Sequence, residues 1–140
     1  MKLNHMNLAV NDVPATRQFL ERSFDLRPVG EGHKNFVILL DDDGFALTLM
    51  GVGKLKTASY PKTFHIGFIQ PTDADVNAVH QRLTDEGLAV DPPSHQHGAW
   101  SFSVQAPGGL TIVIRSAIDW QAEEAASTGH NGSHRHRHRH

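Results

Sequence analysis

Apolar and polar side chains alternate one for one over residues 4–10, and they do so again over residues 64–70. In the first run His5, Asn7 and Ala9 fall on one side and Met6, Leu8 and Val10 on the other. In the second, His65 and Gly67 oppose Phe64, Ile66 and Phe68. A period of two is that of a β-strand with one buried side. Each run therefore predicts a strand with a single histidine on the face away from its bulky residues, where a one-sided sheet lies open.

The segments between these runs also repeat. After the first strand, Asn11-Asp12 offers a helix cap and Pro14 sits in the first turn, where its missing N–H costs nothing. The helix runs to about residue 24, and Ala15, Phe19, Leu20 and Phe24 have the spacing to pack on Met6, Leu8 and Val10. A short strand is predicted at 26–29, a continuous apolar strand at 35–40, a turn at 41–44 and a strand at 45–50. An aperiodic linker follows. Then His65 heads a strand and Asp73 caps a helix carrying Val76, Val79, His80 and Leu83, which stops at Glu86-Gly87. A short strand at 88–90, a strand at 100–105, the turn 106–109 and a strand at 110–115 close the series.

An internal repeat of about 60 residues predicts an α+β fold of two βαβββ units. The expected bounds are residues 1–51 and 63–118, with linker 52–62, a terminal helix or tail at 119–128 and a tag-like tail at 129–140. Aligning the halves through their turns sets Gly44 against Gly109 and Thr48 against Val113. If the histidines face the hollow of a curved sheet, Phe36, Ile38, Thr48, Met50, Ser101, Ser103, Gln105, Val113 and Arg115 face it too. Val37, Leu39, Phe102 and Val104 would lie under the helices.

Composition narrows the chemistry. The chain has 140 residues and no cysteine, which excludes disulfides, thiolate catalysis and cysteine-ligated metal and leaves His, Asp and Glu as strong ligands. Alternating Arg and His after Gly132-Ser133-His134 look like an affinity tag. Without the tail's three arginines the formal charge is −5, which argues against nucleic acid as a partner. No apolar run approaches the roughly 20 residues of a membrane span, and no secretory signal is evident, so a cytoplasmic location is expected.

Two βαβββ units, each headed by a strand histidine, with a Pro107-Gly108-Gly109 turn before the last strand, resemble the vicinal oxygen chelate superfamily. Its members include glyoxalase I, extradiol dioxygenases, and the fosfomycin- and bleomycin-resistance proteins. The resemblance implies paired units forming cup-shaped mixed sheets, and a homodimer in which each site draws on two subunits. It also implies a metal site built from the opening-strand histidine and a carboxylate of the fourth strand. His5 and His65 match the histidine positions, whereas Thr48 and Val113 stand where the carboxylates would be. Neither replacement supplies an anionic oxygen to a divalent ion.

Other candidates have plainer explanations. His95-Gln96-His97 lies in a Pro/Ser/Gly loop, His33 in a loop and His80 on a helix surface. Trp100 has the parity of core packing beneath the second helix. Asp41, Asp42 and Asp43 read as a turn, and Asp119, Glu123 and Glu124 as a solvated helix face. No nucleophile motif or phosphate loop is present. The expectation is a small-molecule-binding protein of the bleomycin-resistance type with no metal cofactor. Its cup would be lined by His5, Phe36, Thr48, His65, Ser103, Val113 and Arg115, with Arg115 offering a planar fork of donors to an anionic or carbonyl group. The rival is a metal-dependent glyoxalase-like lyase or dioxygenase, with His5 and His65 holding a divalent metal beside an unrecognised third ligand.

Overall fold

A computed structural model describes residues 1–53 and 57–117. The first unit comprises β1 (His5–Val10), α1 (Val13–Phe24), β2 (Arg27–Pro28), β3 (Phe36–Leu40) and β4 (Ala46–Gly51). The second comprises β5 (Ile66–Gln70), α2 (Asp73–Asp85), β6 (Ser94–Gln96), β7 (Ala99–Gln105) and β8 (Thr111–Ser116). Each forms a four-stranded mixed sheet, in the orders β1-β4-β3-β2 and β5-β8-β7-β6. The opening strand runs parallel to the fourth in both units, and the remaining pairs are antiparallel. The α+β repeat is therefore present as the hydrophobic pattern predicts.

Strand parity divides each sheet between core and open face. Leu8, Val10, Val37, Leu39, Leu49, Phe102, Val104, Ile112 and Ile114 are buried in one cluster shared by both units. Each such side chain contributes about 1.5–3 kcal/mol by leaving water. On α1 the buried stripe is Val13, Thr16, Leu20 and Ser23, while Ala15, Phe19 and Phe24 are half-buried. The stripe is rotated from the expected one because the second unit also covers this helix, and it satisfies the stripe's hydroxyls. Thr16 Oγ1 donates to the carbonyls of Asp12 (2.8 Å) and Pro107 (3.2 Å), and Ser23 Oγ donates to Glu86 Oε1 (2.8 Å).

Asp12 caps α1 as predicted, accepting from Ala15 N at 3.0 Å. The cap of α2 is Thr72 rather than Asp73. The Thr72 hydroxyl accepts from Asp75 N (3.1 Å) and donates to the Asp75 carboxylate (2.9 Å), which leaves Asp73 as the first helical residue. The short strand of the second unit is also displaced. Leu88 and Val90 are half-buried against the core but form no strand, and the edge strand is β6. Its position is set locally by a two-residue hairpin: Gln96 pairs with Ala99, and between them His97 (φ 51°) and Gly98 (φ 81°) both take the left-handed conformation. The helix expected near the C-terminus lies outside the described residues.

The units interlock at two places. At the end of α1, Phe24 stacks on Phe68 at 4.7 Å, and Arg82 donates to the Ser23 carbonyl at 3.1 Å and lies 3.7 Å from Asp25. At its start, Asn11 acts as a clamp: its Oδ1 accepts from Ala58 N (2.7 Å), and its amide donates to the carbonyls of Ala58 (3.3 Å) and Gly108 (3.4 Å). Gly108 combines φ +88° with close packing, since a Cβ there would meet Thr16 Oγ1 at 3.4 Å.

The linker is tied down by Tyr60, which donates to the Ala9 carbonyl and stacks on Phe64 at 4.9 Å. Burial raises the Tyr60 phenol above its ordinary value near 10. A raised folded-state value favours the neutral form, so this contribution to stability is complete below pH of about 10 and is lost as pH rises through the folded value. Tyr60 is the only tyrosine in the chain, so ultraviolet titration of phenolate reads it directly. Native protein is expected to ionise at higher pH than urea-unfolded protein, and coincident curves would contradict the packing described.

Candidate functional site

The register builds two open faces. On the first sheet Asn7, Thr48 and Ile38 lie in one row and Ala9, Met50 and Phe36 in the next, with His5 beside Ala46. On the second sheet the corresponding rows are Gly67, Val113 and Ser103, then Ile69, Arg115 and Ser101. Thr48 is thus the diagonal neighbour of His5 across an adjacent strand. His65 does not head β5 as expected but directly precedes it, outside the paired register, and Val113 stands opposite Gly67, two residues further on. Phe36, Ile38, Thr48, Val113 and Arg115 are half-buried, and His5, His65, Ser103 and Gln105 are exposed. Met50 (43%) and Ile69 (59%) are unusually open for large apolar side chains. Ser101, by contrast, is buried at 5% exposure and is not available as lining.

The two faces differ in chemistry. The first is apolar apart from His5, Asn7, Thr48 and, on the edge strand opposite Leu40, Arg27. The second carries Ser103, Gln105, Thr111 and Arg115, with Gln105 Nε2 donating to Thr111 Oγ1 at 2.8 Å. Arg115 forms no ion pair among the described residues. Its guanidinium is a half-buried donor set on the second open face.

The cavity beside His65 does not include His5. His65 opens onto a cavity of about 250 Å3 bordered by Met6, Leu26, Phe45, Leu47 and Phe68. Met6 and Leu47 belong to the face of the first sheet opposite His5, so this cavity does not reach His5. The outer edges of β1 and β5 have no strand neighbour among the described residues.

Both imidazoles are anchored through Nδ1. His5 Nδ1 lies 2.7 Å from Asn4 Oδ1, and His65 Nδ1 lies 3.0 Å from the Thr63 carbonyl oxygen. Among the described residues of one chain no three His, Asp or Glu side chains converge. The uncharged Thr48 and Val113 occupy the flanking positions, whereas a catalytic metal site ordinarily has three protein ligands and an open position.

The remaining candidates fall away from these faces. Trp100 packs toward α2, its Nε1 donating to Asn77 Oδ1 at 2.7 Å, as its parity predicts. His95 lies edge-on to Trp100 at 4.9 Å, and His97 occupies the hairpin turn. His80 is not a free surface residue: its Nε2 is buried without a hydrogen-bond partner among the described residues, and its ring lies edge-on to Phe102 at 5.0 Å. Asp41 closes its turn by accepting from Asp43 N (2.9 Å) and Phe45 N (2.8 Å). The sequence assigns no role to Asn4 and reads Asn11 only as part of a helix cap, because their bonds depend on partners that a hydrophobic pattern does not reveal.

Two βαβββ units, with His5 opening the first strand and His65 directly preceding the fifth, define a glyoxalase-like protein of the vicinal oxygen chelate type. The chain belongs to the Glyoxalase/Bleomycin resistance protein/Dioxygenase superfamily, whose sequence profile matches residues 2–114. It is similar to a structure described as a possible glyoxalase from Bacillus cereus, with 46% identity over 82% of this chain and 98% of that one and a TM-score of 0.73. The fold is shared with a lactoylglutathione lyase from Agrobacterium tumefaciens (17% identity, 83% of this chain and 93% of that one, TM-score 0.68). It is shared also with a fosfomycin resistance protein from Mesorhizobium loti (24% identity, 87% and 97%, TM-score 0.65). No curated protein sequence matches the chain.

Proposed function

We propose that this protein is a cytoplasmic small-molecule binder of the bleomycin-resistance type, which captures its ligand without a catalytic metal. The observation that carries this reading is the pair of uncharged residues, Thr48 diagonal to His5 and Val113 opposite Gly67, two residues on from His65. The ligand lies across a cup formed from His5, Phe36 and Thr48 on one side and His65, Ser103, Val113 and Arg115 on the other. Affinity comes from burying apolar ligand surface against Phe36 and Val113, with Arg115 and Ser103 fixing orientation. The cup belongs to a homodimer in which the first sheet of one chain faces the second sheet of its partner. The absence of His5 from the cavity beside His65 and the open edges of β1 and β5 support that arrangement.

The test is elemental analysis of tag-free protein purified without chelator, beside the His5→Ala/His65→Ala double variant. Neither is expected to hold stoichiometric metal, while the double variant loses the stabilisation that a hit from a thermal-shift ligand screen gives the parent. Stoichiometric metal that disappears in the variant would overturn the metal-free function. It would favour a second reading, a metal-dependent glyoxalase-like lyase, which draws support from the 46% identity to the possible glyoxalase.

A further inference from the structure

His5 and His65 are both contacted through Nδ1, by unrelated means. At His65 the partner of Nδ1 is a main-chain carbonyl, that of Thr63 at 3.0 Å. A carbonyl oxygen only accepts, so Nδ1 carries the proton and the neutral ring keeps its lone pair on Nε2. At His5 the partner is a side chain, Asn4 Oδ1 at 2.7 Å. Its oxygen imposes the same tautomer, whereas the amide turned over would present Nδ2 and impose the opposite one. The contact at His5 Nδ1 thus depends on one exposed, replaceable residue, and that at His65 on the backbone.

We propose that Asn4 is the positioning residue of His5. Asn4 and the Thr63 carbonyl hold both rings as the Nδ1–H tautomer, and the molecule that this protein takes carries O–H or N–H donors to meet the two Nε2 lone pairs. The ligand half of this inference rests on the binding function proposed above, and the tautomer half stands without it. A ligand offering only ethers or carbonyls sets lone pair against lone pair at both histidines and is disfavoured, because neither acceptor then gains a partner in exchange for lost water. A hydroxyl or amine at each end satisfies both. Arg115, a pure donor, complements the histidines by taking an acceptor of the same ligand.

The test is long-range proton–nitrogen correlation NMR on the 15N-labelled full chain, at a pH where the imidazoles are neutral. His5→Gln and His65→Gln variants assign the signals. Both rings are expected to show protonated Nδ1 and bare Nε2. Asn4→Ala is expected to move His5 toward the Nε2–H form and leave His65 unchanged, and Asn4→Asp, which again presents an oxygen, restores the parent pattern. Nε2–H at His5 in the parent, or a His5 signal indifferent to Asn4→Ala, overturns the tautomer assignment. Phenol and anisole, alike in shape but differing in the O–H, test the ligand half on the same spectra. Phenol, with one O–H to give, is expected to shift the Nε2 resonance of His5 or of His65, and anisole neither. Equal shifts by the two, or none by phenol, overturn the donor requirement without touching the tautomer result. Failure of the metal-free function appears separately, as bound metal in the elemental analysis.

Discussion

Replacing Leu49 by alanine is expected to destabilise the protein by about 2–5 kcal/mol in urea or thermal unfolding. Leu49 is fully buried at the centre of β4, between Leu8 of β1 and Val37 of β3, both also buried. Truncation removes apolar area from the shared core and leaves a hole that two hydrogen-bonded neighbouring strands cannot close. The next residue is the internal control. Met50 points the other way and is 43% exposed, so Met50→Ala is expected to change stability by no more than about 0.5 kcal/mol. Equal losses at the two positions would mean that the alternation of β4 is misassigned, and with it the placement of Thr48 on the open face.

The second large effect is a gain. Restoring carboxylates through Thr48→Glu and Val113→Glu is expected to raise zinc affinity of the tag-free protein by about a hundredfold, near 2.8 kcal/mol. An anionic oxygen would then flank each imidazole and offset the ion's lost hydration. The register makes this feasible, because Thr48 pairs with Asn7, two residues along the strand from His5 and on the same face. Diagonal neighbours across adjacent strands lie about 7–8 Å apart, within the combined reach of a glutamate and an imidazole meeting at one ion. Isothermal titration with zinc reads the change, and adding His5→Ala and His65→Ala is expected to abolish it. Unchanged affinity in the double glutamate variant would show that the open faces do not supply the geometry assumed for the cup.

What the sequence made legible was whatever depends on the local period. The alternation around His5 and His65 identified the opening strands and their open faces, and the repeat of strand, helix and three strands gave the fold. Patterns failed where a distant segment decides the outcome. Thr16 and Ser23 look like solvent-facing helix positions, yet they are buried because Pro107 and Glu86 of the other unit accept their hydroxyls. Leu88 and Val90 look like a strand because they are apolar and alternate, but apolar contact with the core does not require a hydrogen-bonded ladder. The hairpin centred on His97 and Gly98 was hidden because its first turn residue is a histidine rather than the usual asparagine or glycine. The candidate site was legible as a set of faces. Its anchoring was not, since the bonds of Asn4 and Asn11 follow from three-dimensional proximity.

The contacts that cover the start of α1 come from very late in the chain. Asn11 and Thr16 reach the carbonyls of Gly108 and Pro107, bonds that span 97 and 91 residues. Closing loops of that length is entropically slow and raises the contact order of the whole fold. During synthesis the first unit therefore leaves the ribosome with the Thr16 hydroxyl and one side of Val10 uncovered, and it waits for most of the second unit before that surface is sealed. The interval is one of exposure to chaperones and to neighbouring nascent chains, and its length is set by the speed of translation across the second repeat.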